Sequence, residues 1–360
     1  MTSTTPAIRS VKARAVVAPI TRPVKNAFGV IESAPLVLID VETDQGVTGH
    51  SYIFAYATLT LKPLVQLIND IGRDLVGKAI VPFDLMKEMD RKFRLLGWHG
   101  LIGMAVSGLD MAFWDALGQA ASRPLAELLG GSVKPIRAYD SYGVVDPLAD
   151  GKDLKRSIER GYRGIKIKGG DGDLDNDERV VKAVRGIIGR DVALMLDFNQ
   201  SLDPAEALIR IARLAPYDLT WIEEPVPHEN LHGHAQVRRS SPVRIQSGEN
   251  WWFPRGFAEA IAVGASDFIM PDLMKVGGVT GWMRVAAQAE AASIPMSSHL
   301  FAEASAHMLA VTPTAHWLEV LDLAGAILAE PVEIVDGTVT ARGPGLGLSW
   351  NEAAVAKYLV

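Results

Sequence analysis

The chain is expected to fold as an α/β protein: a barrel of alternating strands and helices, covered by a smaller α+β domain. Three observations carry that expectation. Three short apolar runs each close on an acid, at Asp197, Glu223 and Glu249, and the acids stand 26 residues apart twice over. That interval fits one strand, one helix and two loops. Eight such runs alternate with helical segments from about residue 134 onward, the pattern of a (β/α) barrel. The first third reads differently, strands first and helices after, as in an α+β domain.

Composition narrows the function. The 360 residues are enough for a barrel of about 250 residues and a smaller domain. Net charge is -6 with no long basic block, so nucleic acid is not an expected partner. No apolar run reads as long enough to cross a membrane, and no membrane partner is expected. There are no cysteines, which excludes disulfides and thiolate metal sites and fits a reducing cytoplasm, the expected location. Arg9, Lys12 and Arg14 are not followed by an apolar core, so no signal peptide is expected.

In order, residues 7–55 are β-rich. Ala34 to Thr43 is a strand, Asp44-Gln45-Gly46 a turn, and Val47 to Phe54 the returning strand. Pro23 to Ser33 reads as a loop carrying the apolar residues Val24, Phe28 and Ile31. Leu61, Leu64, Val65 and Ile68 fall at helical spacing. So do Met104, Leu109, Met111, Ala112 and Leu117, in a long helix expected to run a few residues past Pro124 and end at Gly130-Gly131. The boundaries are set at 1–130 for the α+β domain and 131–325 for the barrel, with 326–360 returning to the first domain. The eight barrel strands end near Ser141 and at Lys168, Asp197, Glu223, Glu249, Asp272, His299 and Glu319. Asp203-Pro204-Ala205-Glu206 opens the clearest helix, with Asp203 as N-cap and Pro204 at the first helical position.

In a barrel of this type the C-terminal strand ends form the active site. Adjacent strands lie about 4.8 Å apart, so Asp197, Glu223 and Glu249 can converge on one ion. All-oxygen ligation favours Mg²⁺ over zinc, with Mn²⁺ as the alternative metal. Glu223 and Glu224 alternate along a strand and are not expected to face one site. Lys166 and Lys168 are two apart, so both ammonium groups face the barrel interior. Two close cations lower each other's pKa and prepare a base. His299 has Asp272 on the preceding strand to orient it. Asn199 shares a face with Asp197 and can donate to a substrate.

These residues resemble the enolase superfamily, and within it the mandelate racemase subgroup. The resemblance runs over nearly the whole chain. It includes Ser51 to Tyr56, Ala138-Tyr139-Asp140-Ser141, Lys166-Ile167-Lys168, Asp197 to Ser201 and Trp221-Ile222-Glu223-Glu224-Pro225. It continues through Gly248-Glu249-Asn250-Trp251, Lys275 to Trp282, Ser297 to Phe301 and Trp317-Leu318-Glu319. It implies a modified TIM barrel, (β/α)7β, capped by the α+β domain, and a homo-oligomer, commonly an octamer. It implies that Asp197, Glu223 and Glu249 bind Mg²⁺. Lys168 is then one base, and His299 paired with Asp272 the other. Glu319 acts as a protonated acid toward the substrate carboxylate, which Lys166 and Ser141 also contact, and Asn199 contacts the α-hydroxyl. Tyr56, Val24, Phe28 and Ile31 fall with the substrate-binding residues. Where the subgroup's type member has small valines, this chain keeps Val24 but has bulkier Phe28 and Ile31, and Lys25 replaces a histidine.

The implied reaction is removal of the proton α to a small carboxylate, giving an enediolate whose charge the metal, Lys166 and Glu319 stabilise. Racemisation of a 2-hydroxy acid, mandelate or a related apolar one, is the leading expectation. A sugar-acid dehydratase with the same bases is the alternative, and a non-catalytic, metal-stabilised barrel is the third reading.

Overall fold

The computed structural model describes residues 5–360. The cap begins with β1 (Ile8–Asn26), β2 (Gly29–Thr43) and β3 (Thr48–Phe54), an antiparallel sheet in that order. The expected loop at 23–33 is instead the tip of the β1–β2 hairpin, with Val24 opposite Ile31 and Asn26 opposite Gly29. The Oδ1 of Asn26 accepts from the backbone N–H of Phe28 (2.9 Å) and of Gly29 (3.0 Å), so the turn closes on its own side chain. Pro23 argued for a loop, but β1 is an edge strand, where proline leaves no ladder bond unmade.

Helices α1 (Leu61–Leu75), α2 (Pro82–Phe93) and α3 (Leu101–Ala121) follow. The helix α3 ends at Ala121 rather than running past Pro124. Ser122 adopts φ 52° and stops it, and Pro124 opens a separate turn, α4 (Leu125–Leu128). Proline disfavours helical geometry in the residue before it. In length and composition α3 does reach what a membrane-crossing helix needs, contrary to the sequence reading, yet 78% of its apolar window is buried inside the protein. It is a core helix: Gly108 lets it approach the sheet so closely that a Cβ there falls 2.5 Å from Ile39.

The barrel strands are β4 (Pro135–Val144), β5 (Gly164–Lys168), β6 (Ala193–Asp197), β7 (Leu219–Glu223), β8 (Ile245–Ser247), β9 (Phe268–Ile269) and β10 (Leu318–Val320). They alternate with α5 (Gly151–Glu159), α6 (Leu174–Ile188), α7 (Pro204–Leu214), α8 (Leu231–Ser240), α9 (Phe253–Val263), α10 (Leu273–Val276) with α11 (Gly278–Ala291), and α12 (Ala302–Ala310). Asp203 caps α7, its carboxylate accepting from the N–H of Ala205 and Glu206. The seventh strand position, 294–299, is held by single bridges, Ile269 to Met296 and Asp272 to His299, instead of a continuous ladder. Parallel pairing of β10 with β4 closes the ring as (β/α)7β. Ile165, Ile167, Leu194, Leu196, Ile222 and Ile245 face the helices in one apolar cluster. A separate set, Tyr139, Met195, Trp221 and Trp317, fills the barrel's own interior.

The final segment touches both halves. The strand β11 (Thr338–Thr340) runs antiparallel to β4, and α13 (Glu352–Tyr358) places Glu352 2.6 Å from Arg14 of the cap.

Candidate active site

Parallel register brings the acids together: Lys168 lies beside Asp197, and Asp197 beside Glu223. Glu249 follows β8 on the same rim. Each of the three carboxylates offers one oxygen within 4.8 Å of the others, and all three are buried. Burial pushes the Glu223 carboxyl up to about 8; Asp197, Glu249 and Glu319 add to the rise while Lys166 pulls against it. A buried cluster of like charges is costly unless a cation joins it. The donor set fits Mg²⁺, which takes hard oxygen ligands and has no need of nitrogen or sulfur.

Both lysines do point inward, but they meet carboxylates as well as each other. The ammonium of Lys166 is ion-paired with Glu223 and sits 2.8 Å from Glu319; Lys168 sits 2.5 Å from Asp197. Burial pushes Lys168 down, and Lys166 adds to that as the sequence suggests, yet the charges and hydrogen bond of its acid neighbours, Asp197 above all, carry it above the ordinary lysine value. The expected mutual lowering is therefore present and outweighed. Asp197 responds in kind: burial raises it, but Lys168, Lys166 and the Asn199 N–H hold it below the usual carboxylate range.

On the other side of the mouth, His299 Nδ1 stands 2.6 Å from Asp272 Oδ2, the expected pair. Its Nε2 lies 3.3 Å from Glu249. Burial opposes its charge, but Glu249, Asp272 and Glu319 raise it above the ordinary histidine value. Glu319 differs from expectation. Burial favours its neutral form, but Lys166, His299 and the N–H of Leu300 (2.9 Å) pull it below the ordinary glutamate range, against the expected protonated acid.

Asn199 lies where expected, bonded to Asp197 through its backbone N–H (2.7 Å) and Nδ2 (2.9 Å), with its Oδ1 buried and unpartnered. Ser141, buried within β4, which runs on to Val144, has its carbonyl bonded by Arg22 of the cap hairpin. Val24 is buried and Ile31 packs partly against the core. Phe28 does not enclose a pocket: it is 76% exposed, because the Asn26 turn turns it outward. Tyr56 stands at the end of the cap sheet, half-exposed, with φ 58°.

The sequence reading missed Glu224, Asn250 and Lys275. Glu224 lies one residue beyond β7 with φ 36°, so strand alternation no longer governs it. It is fully buried and bonds Asn250 (2.7 Å), which also reaches Glu249 (3.2 Å). A polar residue directly after two of the three acids, Glu224 after Glu223 and Asn250 after Glu249, was the signal available.

Residues 150–354 match the enolase C-terminal domain-like family, and residues 8–130 match the mandelate racemase / muconate lactonizing enzyme N-terminal domain. A solved enolase from Bradyrhizobium, complexed with magnesium and mandelic acid, superposes with TM-score 0.98 at 72% identity, covering 99% of this chain and 99% of that one. The L-talarate/galactarate dehydratase of Salmonella typhimurium LT2, liganded with magnesium and L-lyxarohydroxamate, superposes with TM-score 0.92 at 25% identity, covering 99% and 94%. The 3,6-anhydro-α-L-galactonate cycloisomerase of Streptomyces coelicolor is 32% identical over 91% of this chain and 92% of its own. With this fold, this buried triad and these matches over both domains, the chain belongs to the enolase superfamily, in its mandelate racemase subgroup, and is an enzyme.

Proposed function

We propose that the protein binds Mg²⁺ at Asp197, Glu223 and Glu249 and abstracts the proton α to the carboxylate of a small 2-hydroxy acid, racemising mandelate or a related apolar acid. One observation carries the reading. Two proton-transfer groups flank the acid triad, Lys168 at its Asp197 end and His299 at its Glu249 end. A racemase needs one such group per face of the α-carbon. The metal, when bound, supplies charge stabilisation at the substrate carboxylate. Lys166 is placed to donate to a carboxylate oxygen, with Glu319 fixing its ammonium. Asp272 holds the His299 ring so that Nε2 faces the site, where it takes a proton or returns it. To act as a base Lys168 must lose its proton; the Asp197 pair works against this and the Lys166 charge works for it. Mandelic acid in the Bradyrhizobium enolase supports the substrate class.

A second reading, sugar-acid dehydration with the same bases, is favoured by the Salmonella relative and by the outward turn of Phe28, which leaves the pocket wall less apolar than the sequence implied. The same proposal includes a homo-oligomer, which sedimentation velocity checks. The deciding experiment incubates (R)- and (S)-mandelate, and a set of sugar acids, with enzyme and MgCl₂ in D₂O. Optical rotation, α-deuterium exchange and 2-keto-acid formation are followed together. Exchange with loss of rotation supports the racemase. Keto acid from a sugar acid, with mandelate inert, replaces it by the dehydratase.

A further inference from the structure

An unbroken line of contacts runs from Tyr56 of the cap to the acid triad through Lys275 and Asn250, which have no role in the reading above. Lys275, in α10, is 4% exposed. Its ammonium donates to Asn250 Oδ1 at 2.6 Å. The amide of Asn250 reaches two carboxylates, Glu224 at 2.7 Å and the triad member Glu249 at 3.2 Å. On its other side the Lys275 ammonium stands 4.9 Å from the centre of the Tyr56 ring, at the end of the cap sheet. Its cap end and the branch at Glu224 have unusual backbone. Tyr56 at φ 58° and Glu224 at φ 36° occupy the left-handed region that bulky residues avoid. Such conformations persist only where the surroundings over-determine them.

The placement of Lys275 needs a reason, because an ammonium beside a cation site repels the cation. Lys275 offsets the buried Glu224 carboxylate, a pairing that does not by itself favour the metal, so any gain for the cation has to come from geometry. Asn250 has one amide to share between Glu224 and Glu249, and Lys275 fixes which way that amide faces by claiming its oxygen. We infer that Lys275 is a positioning residue: through Asn250 it orients the carboxylate of Glu249 for the metal, and through Tyr56 it links that orientation to the seating of the cap. This rests on the reading of the triad as a cation site.

The two opposing effects give the test its sign. If charge alone matters, removing Lys275 tightens Mg²⁺ binding; if positioning matters, removing it weakens binding. The full-length chain, stripped by chelation, is titrated calorimetrically with MgCl₂ as wild type, Lys275→Met, Asn250→Ala, Tyr56→Leu and the Lys275→Met/Tyr56→Leu double variant, with thermal melts as the control for folding. Lys275→Met and Asn250→Ala are each expected to weaken Mg²⁺ by at least about tenfold, the low end for residues that orient a metal ligand. Tyr56→Leu is expected to weaken it about fivefold, a small coupling between linked sites, and the double variant no further than Lys275→Met alone. Unchanged or tighter binding in Lys275→Met overturns the inference, and strictly additive effects overturn its cap half. If Lys275→Met does not fold, Asn250→Ala and Tyr56→Leu decide the matter on the same criterion. A wild type that binds no Mg²⁺ overturns the cation-site reading itself.

Discussion

The two ends of one barrel interior are built on opposite principles. At the end away from the site, Tyr139, Met195, Trp221 and Trp317 interlock as an aromatic plug, with the Tyr139 and Trp221 rings 5.6 Å apart at 75°. At the other end the barrel strands carry Lys166, Lys168, Asp197, Glu223 and Glu319, all largely shielded from water. The plug is held by area and shape, although the buried Tyr139 hydroxyl has no hydrogen-bond partner. The charged end is held by pairing, and it carries more acid than base. The two ends touch: the indole Nε1 of Trp221 donates to Glu223 at 3.0 Å, and the Lys166 ammonium stands 5.4 Å from the centre of the Tyr139 ring. The lesson is that the barrel's stability and its reactivity are separable along one axis, the reactive end being tolerable because the other end supplies apolar packing without strain.

The strongest way to break that division is to disarm the charged end. Asp197→Ala or Glu249→Ala should lower kcat by at least about a thousandfold, since several kcal/mol of charge stabilisation depends on the metal and each 1.4 kcal/mol is about tenfold. Steady-state rates before and after chelation give the same comparison, and full turnover in excess chelator refutes it. Next come the two proton-transfer groups. His299→Asn and Lys168→Ala should each lower racemisation by about 10²–10⁴-fold, while each retains solvent exchange of the α-proton in one enantiomer only. Proton NMR in D₂O reads this, and loss of exchange from both enantiomers in each folded variant counts against two independent bases.

The plug should answer in stability. Trp221→Ala should cost about 3–5 kcal/mol in a denaturant titration, and Trp221→Phe distinctly less, isolating the bond to Glu223. An unchanged midpoint in Trp221→Ala would mean that the plug does not carry the barrel. Away from both ends, Asp110 of α3 accepts from the N–H (2.9 Å) and hydroxyl (2.6 Å) of Thr280. Burial pushes its carboxyl up to about 7, those bonds pulling it back. A carboxyl raised on folding binds its proton more tightly in the native state, so stability is greatest below the ordinary aspartate range and falls as pH rises toward 7. Between pH 4 and 7 the melting temperature of wild type should fall more than that of Asp110→Asn. The smallest effect belongs to the hairpin tip: Phe28→Val should change kcat/KM for mandelate by less than about threefold, as an exposed substitution of roughly 0.5 kcal/mol.

Legibility in the sequence followed the same axis. Regular strands announce themselves, so Lys166, Lys168, Asp197 and Glu223 could be placed from alternation and a repeated interval alone. Irregular backbone does not. Glu224 sits just past a strand end in left-handed geometry, where no periodicity says which way a side chain points. The hairpin tip was hidden by Pro23, and the end of α3 by an apolar pattern that continues through Leu125 and Leu128 although the helix does not. Protonation was the hardest to read, because it depends on which ammonium meets which carboxylate, and the pairing of Lys166 with Glu319 joins residues from non-neighbouring strands.

The apolar helix α3 has a consequence during synthesis. It packs against α10 and α11 as well as the cap sheet, and those helices lie about 150 residues further along the chain. At roughly 5–20 residues per second, one flank of the helix waits on the order of 10–30 s for its cover. A nascent segment of that length and hydropathy is a candidate for the wrong destination. Asp110 and Asp115, both buried in the finished fold, stand near its middle, and an aspartate at the centre of an inserting helix costs about 2.5–3.5 kcal/mol. The two acids thus bear on both states: in the finished enzyme Asp115 ties the helix to the C-terminal segment through the N–H of Leu346, and in the nascent chain each raises the cost of inserting that helix into a bilayer.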